Sequence, residues 1–157
     1  MRLALFQPDI PQNLGAALRL CACLGVPLDV IEPTGFPFND KSIKRSALDY
    51  GPLADVTRHA SFDDFLAAPE RKLGRLALFT TKAARPFQDF DYQTGDTLIF
   101  GKESAGAPDY VHAAADARLI IPLAPGARSF NLVNSAAMAL SLALNATNAF
   151  PAQKLGL

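Results

Sequence analysis

Short, largely apolar runs recur along the chain at 3–6, 28–31, 76–79, 97–100 and 119–121, interrupted only by Asp29 and Thr97, and each is followed by a polar or glycine-containing loop. Runs of that length and continuity read as buried strands. Between them the period changes. Leu14, Leu18, Cys21 and Leu24 fall near helical spacing and predict an amphipathic helix over 13–24, capped by Asn13 and stopped by Gly25. Asp40 opens a short basic helix with Lys41, Lys44 and Arg45. Ser61-Phe62-Asp63-Asp64 has the form of a capping box before another short helix. Pro108 suits the first turn of a helix through Ala115, and a last helix runs from 131 to about 148. That last helix is apolar nearly all round over 136–144, which reads as core on one side and a dimer interface on the other. The polar stretch 86–95 reads as a surface connection.

Continuous apolar strands alternating with helices imply an α/β fold, a Rossmann-like parallel sheet with helices on both faces. Ligands of such sheets bind beyond the carboxyl ends of the strands. The loops after Phe79, Phe100 and Ile121 therefore carry the candidate chemistry.

Composition narrows the choice. The chain has 157 residues, 50% hydrophobic and 19% charged, with a formal net charge of zero. That suits a single globular domain over 1–157 and argues against a strongly basic nucleic-acid binder. Cys21 and Cys23 are too close for a framework disulfide and suggest a reducing compartment. The N-terminus lacks the apolar stretch of a signal peptide, and the apolar run near the end is too short for a bilayer. A cytoplasmic protein without a membrane segment is expected.

The loops exclude several chemistries. Gly101-Lys102-Glu103-Ser104-Ala105-Gly106 is followed by Ala107-Pro108, where a phosphate loop needs Lys-Ser or Lys-Thr. The first strand–helix turn holds one glycine, where a dinucleotide fingerprint needs three. The loop after Ile121 offers main-chain groups and the Ser129 hydroxyl but no general base, so a hydrolytic triad has nowhere to form. His59 and His112 have no metal-ligand spacing to the cysteines, and no metal site is expected. Arg19 lies at the edge of the inner stripe of its helix; it either snorkels to water or reaches a ligand above the sheet, and periodicity leaves both open.

Three segments taken together resemble the SPOUT class of RNA methyltransferases: "NLGAALR" at 13–19, "LIFGKESAGAP" at 98–108 and "IIPLAPGARSFNLVNSAAMAL" at 120–140. The segment "IEPTGFPFNDKSIKRSALDYGPLADVTRHASFDDFL" is similar to the minimal single-domain subgroup, which methylates the ribose 2′-oxygen of the tRNA wobble nucleotide, cytidine or uridine. The resemblance implies S-adenosylmethionine as donor, with S-adenosylhomocysteine as product. It also implies a C-terminal trefoil knot and a homodimer joined through the C-terminal helix, with active sites straddling the interface. Phe79, Gly101, Ile121 and Ser129 match the family's cofactor contacts, with Glu103, Leu123 and Asn131 as near neighbours. Arg19 matches the arginine associated with catalysis. Many relatives carry Tyr-Glu in the last helix where this chain has Ser141-Leu142.

Methyl transfer from a sulfonium needs in-line approach by oxygen and no metal, which suits loops poor in acids and bases. A guanidinium stays protonated, so Arg19 is expected to hold a phosphate or the developing alkoxide rather than to take a proton. Lys41, Lys44, Arg45, Arg58 and His59 form a basic set for tRNA, and Arg85 and Arg128 lie near the cofactor loops. Two other readings stay open: a catalytically idle RNA-binding dimer of the same fold, and a nucleotide-binding α/β enzyme of another class.

Overall fold

The computed structural model describes residues 1–37, 50 and 53–152. Its strands are β1 (Arg2–Phe6), β2 (Leu28–Ile31), β3 (Val56–His59), β4 (Leu76–Phe79), β5 (Arg85–Pro86), β6 (Thr97–Phe100) and β7 (Ala117–Ile120). Its α-helices are α1 (Pro11–Leu24), α2 (Phe62–Ala67), α3 (Asp109–Ala114) and α4 (Leu132–Ala146). The strands form one sheet of order β3-β2-β1-β6-β4-β7-β5, and every pairing is parallel.

Alternation along each strand sorts the core into two layers. Leu3, Leu5, Leu28, Val30, Ala77, Phe79, Leu98, Phe100 and Leu119 face one side. There they meet Leu14, Ala17, Leu18 and Cys21 of α1 and Leu132, Ala136, Ala139, Leu140, Ala143 and Leu144 of α4. Ala4, Phe6, Ile31, Leu76, Leu78 and Ile99 face the other side, against Phe62 and Phe65 of α2 and Val111 of α3. A sheet covered on both faces explains why its central strands are apolar without interruption.

The order of strands departs from the order of the chain. Although β5 follows β4 in sequence, β7 lies between them; β6 likewise separates β1 from β4. Register aligns Leu5 with Phe100, Phe100 with Phe79, and Phe79 with Leu119. The carboxyl ends of β4, β6 and β7 therefore finish at one rim.

Several expectations need correction. Helix α1 begins at Pro11, and its cap is Ile10, in extended conformation and without a side-chain bond. Proline at the first helical position has no N–H to satisfy and a φ already suited to a helix, so the cap by Asn13 is unnecessary. Asn13 instead sits inside the first turn, buried. Gly25 ends α1 as expected, in the left-handed region at φ 64°, with its N–H on Ala22 O. The stretch 86–95 is not merely a surface connection. It includes the end of edge strand β5 and a 3₁₀ turn at Phe87–Asp89. Phe90 and Tyr92 are buried, with the Arg75 and Arg85 guanidinium groups 4.4 and 5.1 Å from the Phe90 ring centre. Strand β3 carries two exposed positions out of four, so it shows no apolar run. Helix α4 buries the expected core face, through Leu132, Ala136, Ala139, Leu140, Ala143 and Leu144. Asn134, Ser141 and Asn145 are exposed, and Ala137, Met138 and Leu142 are half-buried. Strand β7 ends at Ile120, and the basic helix expected from Asp40 lies outside the described residues.

Under the β2 end of the sheet sits a polar cluster. Asp29, 2% exposed, accepts from Arg2 Nε at 2.7 Å and Nη2 at 3.0 Å, and its Oδ1 lies 2.8 Å from His59 Nε2. His59 is thereby committed to the core and is not available for RNA, contrary to its place in the basic set. The cysteines diverge on α1. Cys21 is buried, its thiol pushed up to about 12 by burial first and the nearby Asp29 charge second, whereas Cys23 is exposed.

Removing one member of a buried ionic cluster strands the others. Asp29→Ala is expected to cost about 3–5 kcal/mol, whereas loss of the surface cap in Ser61→Ala is expected to cost about 1 kcal/mol. Urea unfolding of the two variants beside the parent checks the contrast.

Candidate active site

Beyond the carboxyl ends of β4, β6 and β7 opens a cavity of about 540 Å³, within the usual size of small-molecule sites. Its inner wall includes Phe79 and Phe100, stacked with ring centres 4.8 Å apart and planes at 16°. Thr80, Thr81 and Lys82 leave β4 along one side. Residues 121–130 have no regular secondary structure and form another side, with Ile121, Leu123, Arg128, Ser129 and Phe130 on the cavity. Phe130 is 45% exposed, a large apolar ring left at the mouth.

The loop after β6 closes on itself. Lys102 N–H bonds Gly106 O at 3.1 Å, and Gly106 N–H bonds Lys102 O at 2.8 Å. A Cβ on Gly101 would lie 2.4 Å from both Ala107 N and Gly106 C. The glycine is therefore demanded by closure of the loop on its own backbone, not by approach of a ligand.

Glu103 projects from that loop into a polar chain across the site. Its Oε1 accepts from Asn13 Nδ2 at 2.9 Å, and its Oε2 accepts from the Asp9 N–H at 3.0 Å. Asn13 Oδ1 in turn accepts from Asn131 Nδ2 at 3.0 Å. Asn131 Oδ1 caps α4, accepting from Val133 N–H at 2.9 Å and Asn134 N–H at 3.3 Å. One chain of side chains thus ties the β1–α1 loop, the β6 loop and the start of α4 together. Burial raises the Glu103 carboxyl above its ordinary value, and the neighbouring Asp9 reinforces this. Asp9 is held lower, chiefly by its hydrogen bond with Glu103.

The four residues matched to cofactor contacts, Phe79, Gly101, Ile121 and Ser129, and their near neighbours Glu103, Leu123 and Asn131 all line this cavity. Arg128, assigned to RNA from the sequence, lines it too. Arg19 does not. It is exposed, six residues along α1 from Asn13, with its guanidinium 5.1 Å from the Tyr50 ring centre. Six helical residues are about 9 Å of axis. Arg58 lies on edge strand β3, its Nε 2.6 Å from Glu32 Oε1. Lys41, Lys44 and Arg45 lie outside the described residues. Sequence reasoning missed Asn13, which it used as a cap, and Ile10 and Lys82 on the cavity wall. Among the described residues, no three His, Cys, Asp or Glu side chains are grouped to hold a metal, and no helix is long and apolar enough to cross a membrane.

An all-parallel sheet of this order, with its cavity walled by an irregular segment before the last helix, is the architecture of SPOUT methyltransferases. The chain belongs to the SpoU rRNA Methylase family, whose profile matches residues 1–141. It is 50% identical over 147 residues to a tRNA (cytidine(34)-2'-O)-methyltransferase of Beijerinckia indica, covering 94% of this chain and 92% of that one. A solved structure concerned with 2-OH methylation of C/U34 on tRNA superposes with a TM-score of 0.86 at 38% identity, covering 92% of this chain and 94% of that one. The SpoU methyltransferase AviRb from Streptomyces viridochromogenes, in complex with the cofactor AdoMet, gives a TM-score of 0.83 at 24% identity, over 92% of this chain and 59% of that one. That last likeness concerns the fold alone.

The two jobs of Asn131 are separable. Asn131→Ala removes the cap and is expected to cost about 0.5–2 kcal/mol. Asn131→Asp keeps an oxygen for the α4 N–H groups but loses the donor to Asn13, so it should retain most of that stability. Denaturant midpoints of the pair measure the cap, and the amide signals of Asn13 report the lost bond in both.

Proposed function

We propose that this protein transfers a methyl group from S-adenosylmethionine to the ribose 2′-hydroxyl of the tRNA wobble nucleotide, cytidine or uridine, and releases S-adenosylhomocysteine. The observation that carries this reading is the one cavity lined by all four residues matched to cofactor contacts and by their three near neighbours, together with 50% identity to a protein named for that reaction.

The residues present fit the donor. Phe79, Ile121 and Leu123 give apolar surface for a purine. Ser129, Thr80, Thr81 and the open backbone of 121–130 give short polar groups for ribose and the amino-acid end. When bound, S-adenosylmethionine supplies an electrophilic methyl group. The chain's own task is placement, and orientation of this kind is worth up to about 7–11 kcal/mol of barrier in favourable cases. The Glu103–Asn13–Asn131 chain holds the walls in register, and the chemistry asks for no metal.

The catalytic role assigned to Arg19 requires a second copy. In its own chain Arg19 does not line the cavity. In a homodimer formed through α4 and the neighbouring outer face of α1, the arginine of one copy faces the site of the other. Its guanidinium there holds a substrate phosphate or the developing alkoxide. Ser141, Leu142 and Met138 belong to the outer face of α4 that such a dimer covers. The tRNA contacts are assigned to Lys41, Lys44, Arg45, Arg58 and Arg128. The remaining parts of the proposal are a single domain over 1–157, a trefoil knot in which 121–131 is the threaded segment, and a cytoplasmic location. Insertion of β7 between β4 and β5 supports the knot.

Incubation of the purified protein with total tRNA and methyl-labelled donor, followed by nucleoside analysis, is expected to give a 2′-O-methylated cytidine or uridine at the wobble position. Retention of tRNA without label would favour the idle RNA-binding dimer instead. Arg19→Ala and Ser129→Ala are each expected to be inactive alone. Mixed, they should regain activity, because a heterodimer assembles one intact site from two damaged chains; no recovery would place Arg19 in its own chain's site or outside catalysis. Neutralising Lys44 and Arg45 together should weaken tRNA binding and flatten its dependence on salt.

A further inference from the structure

Asp9 stands beside the cavity without belonging to its lining, and its surroundings are unusual for a carboxylate. Its Oδ2 accepts from Ser104 Oγ. Its Oδ1 is buried and has no donor among the described residues. The Glu103 carboxyl is its immediate neighbour: Oε2 accepts the N–H of Asp9 itself at 3.0 Å, and Oε1 accepts from Asn13 Nδ2 at 2.9 Å. The loop that carries Asp9 cannot easily move away. Gly35 donates its N–H to Pro8 O at 2.9 Å, and a Cβ on Gly35 would lie 2.6 Å from the Asp9 Cβ.

Two carboxyl groups pressed together in a half-buried place cannot both ionise cheaply. No cation is bonded to either of them among the described residues. Lys102 is on the same loop, with its backbone turned into the loop closure. Lys82 and Arg128 stand elsewhere on the cavity wall, and Asn131 faces Asn13 rather than the carboxyls. A proton on Glu103 would give Asp9 Oδ1 the donor it lacks.

We infer that Asp9 is a positioning residue for the active site: it shares one proton with Glu103, and this O–H···O bond fixes Glu103 in the orientation from which it holds Asn13 and, through Asn13, Asn131. The inference deepens the proposed function and rests on it only for the identity of the ligand. The directions in which the two carboxyls depart from their ordinary values agree with it, Glu103 up and Asp9 down. The sign of the consequence follows. Below the raised Glu103 midpoint the pair holds one proton and the wall is set. As pH rises through that midpoint both groups ionise, Asp9 Oδ1 loses its donor, and repulsion loosens the chain to Asn131. Ligand affinity should therefore fall as pH rises through that window. In Asp9→Asn the side-chain amide donates to ionised Glu103, so repulsion is absent and the fall disappears.

The test uses the intact protein with carboxyl carbons labelled. Their pH titration by NMR is expected to show one aspartate below and one glutamate above the ordinary range, with the glutamate signal assigned by its absence in Glu103→Gln. In Asp9→Asn the Glu103 midpoint should drop by about one pH unit. Calorimetry with S-adenosylhomocysteine, which avoids turnover, should show affinity falling with pH in the parent and level in Asp9→Asn. Glu103 titrating in the ordinary range, or an equal loss of affinity at every pH in Asp9→Asn, would overturn the inference. Should Asp9→Asn fail to fold, Glu103→Gln serves: its amide donates to Asp9 Oδ1 as a protonated Glu103 would but does not titrate, so S-adenosylhomocysteine affinity should stay level with pH, and the parent's fall persisting unchanged would overturn the pairing. Separated midpoints in a protein that binds S-adenosylhomocysteine at no pH would instead uphold the carboxyl pair and sink the methyltransfer reading.

Discussion

Main-chain hydrogen bonding sets β6, β4 and β7 side by side although the chain reaches them in another order. From that constraint the rest of the site follows. Parallel ladders align Phe100, Phe79 and Leu119 in one row, so the three loops that follow have no choice but to emerge together. The stacked Phe79 and Phe100 rings stiffen the floor beneath them, a contact worth about 0.5–1.5 kcal/mol beyond area burial. Slipping either strand by one residue would turn these rings to the opposite layer and remove the floor. Sheet register and cavity shape are thus one specification.

Charge plays a local part in a chain whose net charge is zero. The ion pairs are distributed to hold elements rather than to make a field. Asp29 gathers Arg2 and His59 beneath β2, and Asp96, fully buried, takes Arg75 Nη2 at 2.7 Å. At the rim the work passes to amides. Asn13 and Asn131 each present a donor and an acceptor, so each can extend a hydrogen-bonded chain in both directions, as a carboxylate cannot. That is a physical answer to why an asparagine, Asn131, and not an acid or a histidine, occupies the junction before the last helix.

The five apolar strands were legible in the sequence because central strands of a two-faced sheet have no solvent side to interrupt them. The edge strands were not. Val56-Thr57-Arg58-His59 exposes two side chains and reads as a loop, and Arg85-Pro86 is too short to carry a period. Phe90 and Tyr92 were hidden among polar neighbours, and Arg75 and Arg85 lie over the Phe90 ring. At the site, family resemblance reached Phe79, Ile121, Ser129 and Asn131, yet nothing in spacing distinguishes an asparagine that caps a helix from one a turn inside it. The difference at Asn13 came from Pro11, which makes a side-chain cap unnecessary. Arg19 marks the opposite boundary. Its position on α1 was readable, but one chain alone gives it nothing to act on at the rim.

The two margins of the sheet close it against neighbours by different means. On one side β5 is two residues long and ends in Pro86, which lacks an N–H. On the other, β3 presents Thr57 and Arg58 outward, with Arg58 paired to Glu32. A sheet so finished offers a second molecule almost no ladder to extend. Strand addition by a second molecule, and with it fibril-like growth from the folded state, is discouraged by the same two short borders.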